Sequence, residues 1–333
     1  MNKKAMSALL SKKFNDWVST ITDVEVKDLV LKNTIITGGC ITSLLLKEEI
    51  KDFDIYFTNK KTTKAVANYY VKQFNELNKN RVNKLGSKVE GFVLDGADVQ
   101  AWKDGKKKLG DFAPGFENQG TAVSHMISST SPDQVKIIFR SDGVASEKDD
   151  TLNEPFDDVF NVLDKDQVEE KDSGARYRPI FLSSNAITLA NKIQLVIRFY
   201  GEAEEIHKNY DFVHCTNYWT SRDKEVVLNQ RALESILNKE LIYVGSKYPL
   251  CSIIRTRKFI QRGWHINAGQ YLKMCFQLNE FDLTDIAVLN DQLTGVDSAY
   301  FMILIDTLTS KKASDPNFNI DSTYVAAIVD KIF

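Results

Sequence analysis

Apolar and polar residues alternate along this chain with two periods, and the dominant period changes near residue 218. Before that point, helical spacing at 5–21 and 62–80 predicts two helices. Short apolar runs predict strands over 34–37, 88–94, 97–102, 134–140 and 192–199. Beyond that point, nearly every apolar segment has helical spacing. The pattern predicts an α/β fold, with a mixed α/β domain over 1–218 and a helical domain over 219–333.

Gly38 and Gly39 stand between the first predicted strand and a helix predicted over 40–50. Glycine lets the backbone approach a ligand closely, and the start of a helix offers N–H groups and a positive dipole end to an anion. The hydroxyls of Thr42 and Ser43 lie in the first turn of that helix. We therefore predict that these four residues bind the phosphates of a nucleotide, although a glycine pair is more often only a turn.

Two carboxylates follow this helix. The segment KDFDIYF alternates with a period of two, so Asp52 and Asp54 project from one strand face while Phe53 and Ile55 project from the other. Like charges this close are tolerated best where divalent cations neutralise them, and Mg²⁺ binds oxygen ligands together with substrate phosphates. The alternative is a solvated strand end. In this order, the two motifs predict a magnesium site beside a phosphate-binding turn.

The segment TIITGGCITSLLLKEEIKDFDIYF resembles the DNA polymerase β-type nucleotidyltransferase superfamily. That family has a strand, Gly-Gly or Gly-Ser, a helix, and then two acidic residues that flank an apolar one. The chain is most similar to the nucleotidyltransferase-like proteins of bacteriophages, because blocks at 192–219 and 245–274 also fit. The resemblance implies a polymerase-β-like mixed sheet with flanking helices as a catalytic domain over 1–218, followed by a C-terminal helical substrate-binding domain over 219–333.

The resemblance also implies a third carboxylate on a neighbouring strand. It favours Asp211, at the start of a strand predicted over 211–216. Asp98 is the alternative, because it also stands on a predicted strand and is closer in sequence to Asp52; spacing alone does not decide between them. On this interpretation, Asp52, Asp54 and Asp211 are the catalytic residues and hold two Mg²⁺ ions, which Mn²⁺ could replace.

A basic helix face in the C-terminal part is a second candidate for phosphate binding. Arg255, Lys258 and Arg262 recur at i, i+3 and i+7 and so share one face. Such a face suits the phosphates of an incoming nucleotide or an RNA backbone. The alternative is a helix whose arginines pair with acidic residues or with solvent. The resemblance favours substrate contact.

Composition limits the partners of this protein. A net charge of −2 gives no general attraction to nucleic acid, so any such contact requires a local basic patch. The four cysteines have no C-x-x-C spacing, and no apolar run is long enough to span a membrane. We expect a cytoplasmic protein, in the host cytoplasm if a phage encodes it. A long insertion is expected over about 104–179, and its part at 147–172 carries eleven acidic residues against three lysines. A solvated insertion is the plainer interpretation, and a regulatory flap is the other.

These observations predict a metal-dependent nucleotidyltransferase. It would transfer a nucleoside monophosphate from an NTP to a hydroxyl group and release pyrophosphate. The acceptor we favour is an RNA 3′ end. One alternative is transfer of AMP or another nucleotide to a protein or small molecule. The other is a catalytically inactive structural or virion-associated phage protein.

Overall fold

The computed structural model describes residues 1–82, 89–112, 133–139, 144–146, 175–293 and 311–315, together with residues 308, 321, 323 and 326. These residues form two compact units. The first contains the described residues up to 146, with 175–206 and 218–227, and the second contains 207–217 and the described residues from 228 onward. The acidic segment predicted at 147–172 lies outside the described residues.

The first unit is built on β-sheets. In chain order the described strands are β1 (Thr34–Thr37), β2 (Phe53–Phe57), β3 (Gly91–Asp95), β4 (Val135–Phe139), β5 (Val144–Ser146), β6 (Pro179–Ser183), β7 (Ala186–Leu189), β8 (Ile193–Tyr200), β9 (Tyr218–Thr220) and β10 (Val226–Val227). Eight of them form one mixed sheet in the order β10-β9-β1-β2-β8-β7-β6-β5. In that sheet β2 and β8 run parallel, whereas the other neighbours are antiparallel. The separate pair is β3 with β4.

The described α-helices belong to both units. They are α1 (Lys3–Ser19), α2 (Val24–Asn33), α3 (Gly39–Leu46), α4 (Lys60–Leu77), α5 (Gly96–Lys103), α6 (Leu109–Phe112), α7 (Ala203–His207), α8 (Gln230–Asn238), α9 (Pro249–Gln261), α10 (Ala268–Leu278) and α11 (Ile286–Leu293). The predicted mixture of helices with a mixed sheet is therefore confirmed. The sequence prediction missed α2, although the side chain of Asp23 caps its N terminus by accepting a hydrogen bond from the Val26 N–H.

Aromatic side chains join α1 to the main sheet and to α4. Phe14 of α1 packs on Trp219 of β9, with ring centroids 5.1 Å apart. Trp17 of α1 donates a hydrogen bond of 2.7 Å to the Tyr70 hydroxyl of α4. These side chains are fully buried, as is Phe74 of α4. Burial of such large apolar surfaces is the main stabilising contribution in this unit.

The strand predicted over 97–102 is wrong, because these residues form helix α5. The Asp95 carboxylate accepts hydrogen bonds from the N–H groups of Ala97 and Asp98, at 3.0 and 3.1 Å. The Asp98 carboxylate accepts the N–H of Asp95 in return, at 3.2 Å. This capping box satisfies donors that a helix start otherwise leaves unpaired. The strand predicted over 88–94 corresponds to β3, which pairs with β4 and not with the main sheet.

The strand predicted over 211–216 is also wrong. Phe212 forms an isolated bridge with Tyr243, and Val213–Cys215 forms a 3₁₀ turn. Both chain segments belong to the second unit. Phe212, Val213 and His214 are all buried, so burial does not alternate here as it does in a half-buried strand. The rings of Phe212 and His214 lie in one aromatic cluster.

His214 is enclosed by aromatic rings within the second unit. Its ring centroid lies 4.7 Å from that of Phe259 and 4.3 Å from that of Trp264. Burial first, and the positive charge of Arg262 second, lower the pKa of His214 from its ordinary 6.5 to about 3. The imidazole is therefore neutral in the folded protein at physiological pH.

We predict that His214 makes the protein sensitive to acid. Its pKa is lower in the folded state than in the unfolded chain, so the unfolded state binds more protons between pH 6.5 and pH 3. The contribution of neutral His214 to the free energy of unfolding is therefore fully present above pH 6.5. Below that pH it falls by about 1.4 kcal/mol per pH unit. Urea unfolding at pH 7.5 and pH 5 should show a smaller loss for His214→Phe than for the wild type. If both proteins lose the same free energy of unfolding between pH 7.5 and pH 5, the low pKa assigned to His214 is wrong.

Candidate active site

The turn between β1 and α3 requires glycine at its first position. Gly38 has φ 85° and ψ −153°, in a region that other residues rarely adopt. A Cβ atom placed on Gly38 would lie only 2.5 Å from Oδ2 of Asp54. The Asp54 carboxylate therefore lies directly beside the backbone of this turn, so the structure brings the two sequence motifs together.

Helix α3 begins at this turn and provides the predicted phosphate-binding groups. Gly39 is its first residue, and a Cβ there would meet nothing within 4 Å. Thr42 is buried and Ser43 is half-buried within the following turn. The helix ends at Leu46, earlier than predicted, because Lys47 adopts the left-handed conformation. A helix start leaves backbone N–H groups without an intrahelical partner, and Asp54 lies beside Gly38, the residue that precedes this start.

The two predicted carboxylates lie at the start of β2. Asp52 is the residue before Phe53, and Asp54 is the second residue of the strand. Phe53 and Ile55 are buried, whereas both carboxylates are half-buried. The predicted alternation across this strand is therefore confirmed.

Strand pairing places Asp54 in a row of polar residues that crosses the sheet. Asp54 is paired with Thr37 of β1 on one side and with Gln194 of β8 on the other. Thr37 is paired with Tyr218 of β9, and Gln194 with Thr188 of β7. Directly paired residues project from the same sheet face. We call these five residues the polar row; it lies where β1 enters the glycine turn.

The donor set at this end of the sheet suits a hard divalent cation. It consists of carboxylate, hydroxyl and amide oxygens, which Mg²⁺ and Mn²⁺ prefer. Asp52 and Asp54 supply the negative charge, and the space next to Gly39 is open. Across the described part of the chain, no group of three or more His, Cys, Asp or Glu side chains gathers as a metal site.

Asp211 belongs to the second unit, unlike Asp52 and Asp54. Its carboxylate forms an ion pair with Arg255 of α9, and its side chain is only 9% exposed. Arg255, which was predicted to bind phosphate, is 27% exposed in this pair. The two predicted site residues therefore bind each other.

The other predicted basic residues also lie in the second unit. Lys258 is half-buried on α9, and Arg262 is the exposed residue that caps the C terminus of that helix. The structure thus confirms the basic helix itself. Its binding of phosphate remains a prediction.

Asp98, the alternative third carboxylate, takes part in a local ion-pair network. Lys64 lies 2.9 Å from Asp98 and 3.0 Å from Asp95, and Lys107 lies 3.2 Å from Asp98. Burial would raise the pKa of Asp98, but hydrogen bonds from Lys64 and the Asp95 backbone outweigh burial and lower it. Asp98 is therefore held as an ionised cap of α5.

A family model described as Gad2, Gabija anti-defense 2 family protein, matches residues 8–239, more than two thirds of the chain. The chain belongs to this family. The predicted membership of the DNA polymerase β-type superfamily is therefore wrong, because the family that matches is one of phage anti-defense proteins. The predicted link with bacteriophages agrees with this family.

The match to the Gad2 family includes the glycine turn, both carboxylates and the polar row, but not α9. No curated protein and no solved structure matches the chain. Among the described helices, none combines the length and apolar character needed to cross a membrane.

We predict that Gly38→Ala and Gly39→Ala have opposite consequences. Alanine at position 38 would clash with the Asp54 carboxylate and adopt a strained backbone, which costs about 1–3 kcal/mol. Alanine at position 39 meets open space within a helix, where the change stabilises by about 0.5–1 kcal/mol. Urea denaturation of both variants measures the difference. Equal stabilities would show that Asp54 does not lie against the turn.

The ion pair in the second unit gives another prediction. Arg255→Met would leave the buried Asp211 carboxylate without its cation, at a cost of about 3 kcal/mol. Arg257→Met changes an exposed residue of the same helix and should cost less than about 0.5 kcal/mol. Thermal and urea unfolding of the two variants provide the comparison. If Arg255→Met is as stable as Arg257→Met, the ion pair of Arg255 with Asp211 does not stabilise the second unit.

Proposed function

We propose that this Gad2 family protein is a metal-dependent nucleotidyltransferase. The reaction would transfer a nucleoside monophosphate from an NTP to a hydroxyl acceptor and release pyrophosphate. The observation that carries the proposal is the contact of the Asp54 carboxylate with the Gly38 turn at the start of α3. A carboxylate beside helix N–H groups supports binding of a cation and a polyphosphate next to each other.

Each part of the turn has a role in this proposal. The backbone N–H groups after Gly38, with the hydroxyls of Thr42 and Ser43, hold the terminal phosphates. Asp52 and Asp54 hold Mg²⁺, or Mn²⁺ in its place. When bound, the metal neutralises negative charge on the transferred phosphoryl group.

The chain contributes chiefly by positioning the reactants. The acceptor hydroxyl loses its proton to water as its oxygen attacks the α-phosphorus, a new P–O bond forms, and the bond to the leaving pyrophosphate breaks. A rigid turn fixes the triphosphate in line with the acceptor, and fixed N–H groups face the charge of the leaving group. We assign Asp211 and Arg255 to the scaffold of the second unit, because they neutralise each other there.

The family name suggests where the reaction acts. We propose that transfer serves to counter the Gabija defence, in the host cytoplasm. The acceptor is then a hydroxyl group on a component of that defence, whereas an RNA 3′ end is the acceptor predicted from the sequence. A protein that inhibits Gabija by binding alone is the alternative, and loss of the carboxylates distinguishes it from an enzyme.

The proposal predicts that transfer depends on both carboxylates. Purified protein is incubated with each α-labelled NTP and Mg²⁺ or Mn²⁺, and with either mixed RNA or purified Gabija components as acceptors. Asp52→Asn/Asp54→Asn should reduce labelling by at least about 10³-fold, because it removes the charges that hold the metal. Asp28→Asn, which changes an exposed carboxylate of α2, should label like the wild type.

Two results would contradict this function. One is labelling that persists in the Asp52→Asn/Asp54→Asn protein, and the other is no labelling by the wild type with any acceptor. A phage infection assay in cells that carry Gabija adds a second measurement. If the double variant still protects the phage, the protein acts by binding alone.

A further inference from the structure

Gln194 is a polar residue in a strand whose neighbouring side chains are apolar. Ile193, Leu195 and Val196 are all fully buried, and Gln194 itself is only 4% exposed. Because Gln194 and Asp54 are directly paired in parallel strands, the amide projects from the same sheet face as the carboxylate. The sheet therefore places one neutral oxygen donor beside the Asp54 carboxylate.

Gln194 as a whole residue is almost completely buried, and no hydrogen bond joins its amide to another described side chain or backbone group. An apolar side chain of similar volume would suit the strand as well. A bound ligand can supply the interaction that a polar side chain lacks within the protein.

We propose that the amide oxygen of Gln194 binds the same divalent cation as Asp52 and Asp54. Glutamine carbonyl oxygens are ordinary ligands of hard cations. A neutral third ligand leaves the two carboxylates to balance the charge of one divalent cation. A third carboxylate would instead add a negative charge that repels the triphosphate. The identity of this cation rests on the proposed function, but its contact with Gln194 is tested separately.

The test measures Mn²⁺ binding to the full chain without any nucleotide, from the electron paramagnetic resonance signal of free Mn²⁺. Gln194→Met keeps the side-chain volume but removes the oxygen, and should weaken Mn²⁺ binding by at least about tenfold. Gln194→Glu replaces the amide by a carboxylate and should bind Mn²⁺ more tightly than the wild type. Gln100→Met, which makes the same change at an exposed glutamine of α5, should leave the affinity unchanged. Melting curves check that each variant is folded.

The outcomes separate this inference from the proposed function. Wild-type affinity in Gln194→Met, together with weakened binding in Asp54→Asn, would overturn the role of Gln194 and retain the cation site. Weakened binding in both variants supports the inference even if no nucleotide is transferred, and the proposed function would then fail alone. No Mn²⁺ binding by the wild type would overturn both. If Gln194→Glu does not fold, Gln194→Met alone decides.

Discussion

The Asp54 carboxylate lies against the backbone of Gly38 and leaves no room for a side chain at that position. The candidate site depends on this contact. Any side chain at position 38 would displace the carboxylate. The position of Asp54 is in turn fixed by its pairing with Thr37 and Gln194 on either side. A register shift by one residue would bring Phe53 or Ile55 to the turn and direct Asp54 to the buried face. The hydrophobic pattern of β2 thus maintains the geometry of the polar site.

Local patterns in the sequence were sufficient for the first half of this site. The glycine pair and the alternation in KDFDIYF predicted β1, α3, β2 and the side on which Asp54 lies. Gln194 was not predicted as a site residue, because its place beside Asp54 depends on the pairing of β8 with β2, which are distant in sequence. A single polar residue within the apolar run of β8 was the available signal.

The predicted third carboxylates failed as strand residues for two different reasons. At Asp98, a capping box with Asp95 starts helix α5 where the apolar pattern predicted a strand. Two aspartates three residues apart were the feature of the sequence that could have predicted this helix start. At Asp211, the following 3₁₀ turn is stabilised by tertiary packing of aromatic side chains, which no local pattern reveals. The resemblance itself rested on short motifs. Short motifs can predict the geometry of a turn, whereas the match over 8–239 identifies the family.

A crystal structure with Mn²⁺ and a non-hydrolysable NTP analogue tests most directly whether the Gly38 turn and the Asp54 carboxylate form a cation and nucleotide site. We predict an anomalous Mn²⁺ peak in coordination contact with Asp52, Asp54 and the phosphates, with the terminal phosphates at the N terminus of α3. A nucleotide bound elsewhere, or Mn²⁺ absent from these carboxylates at saturating concentration, would contradict it.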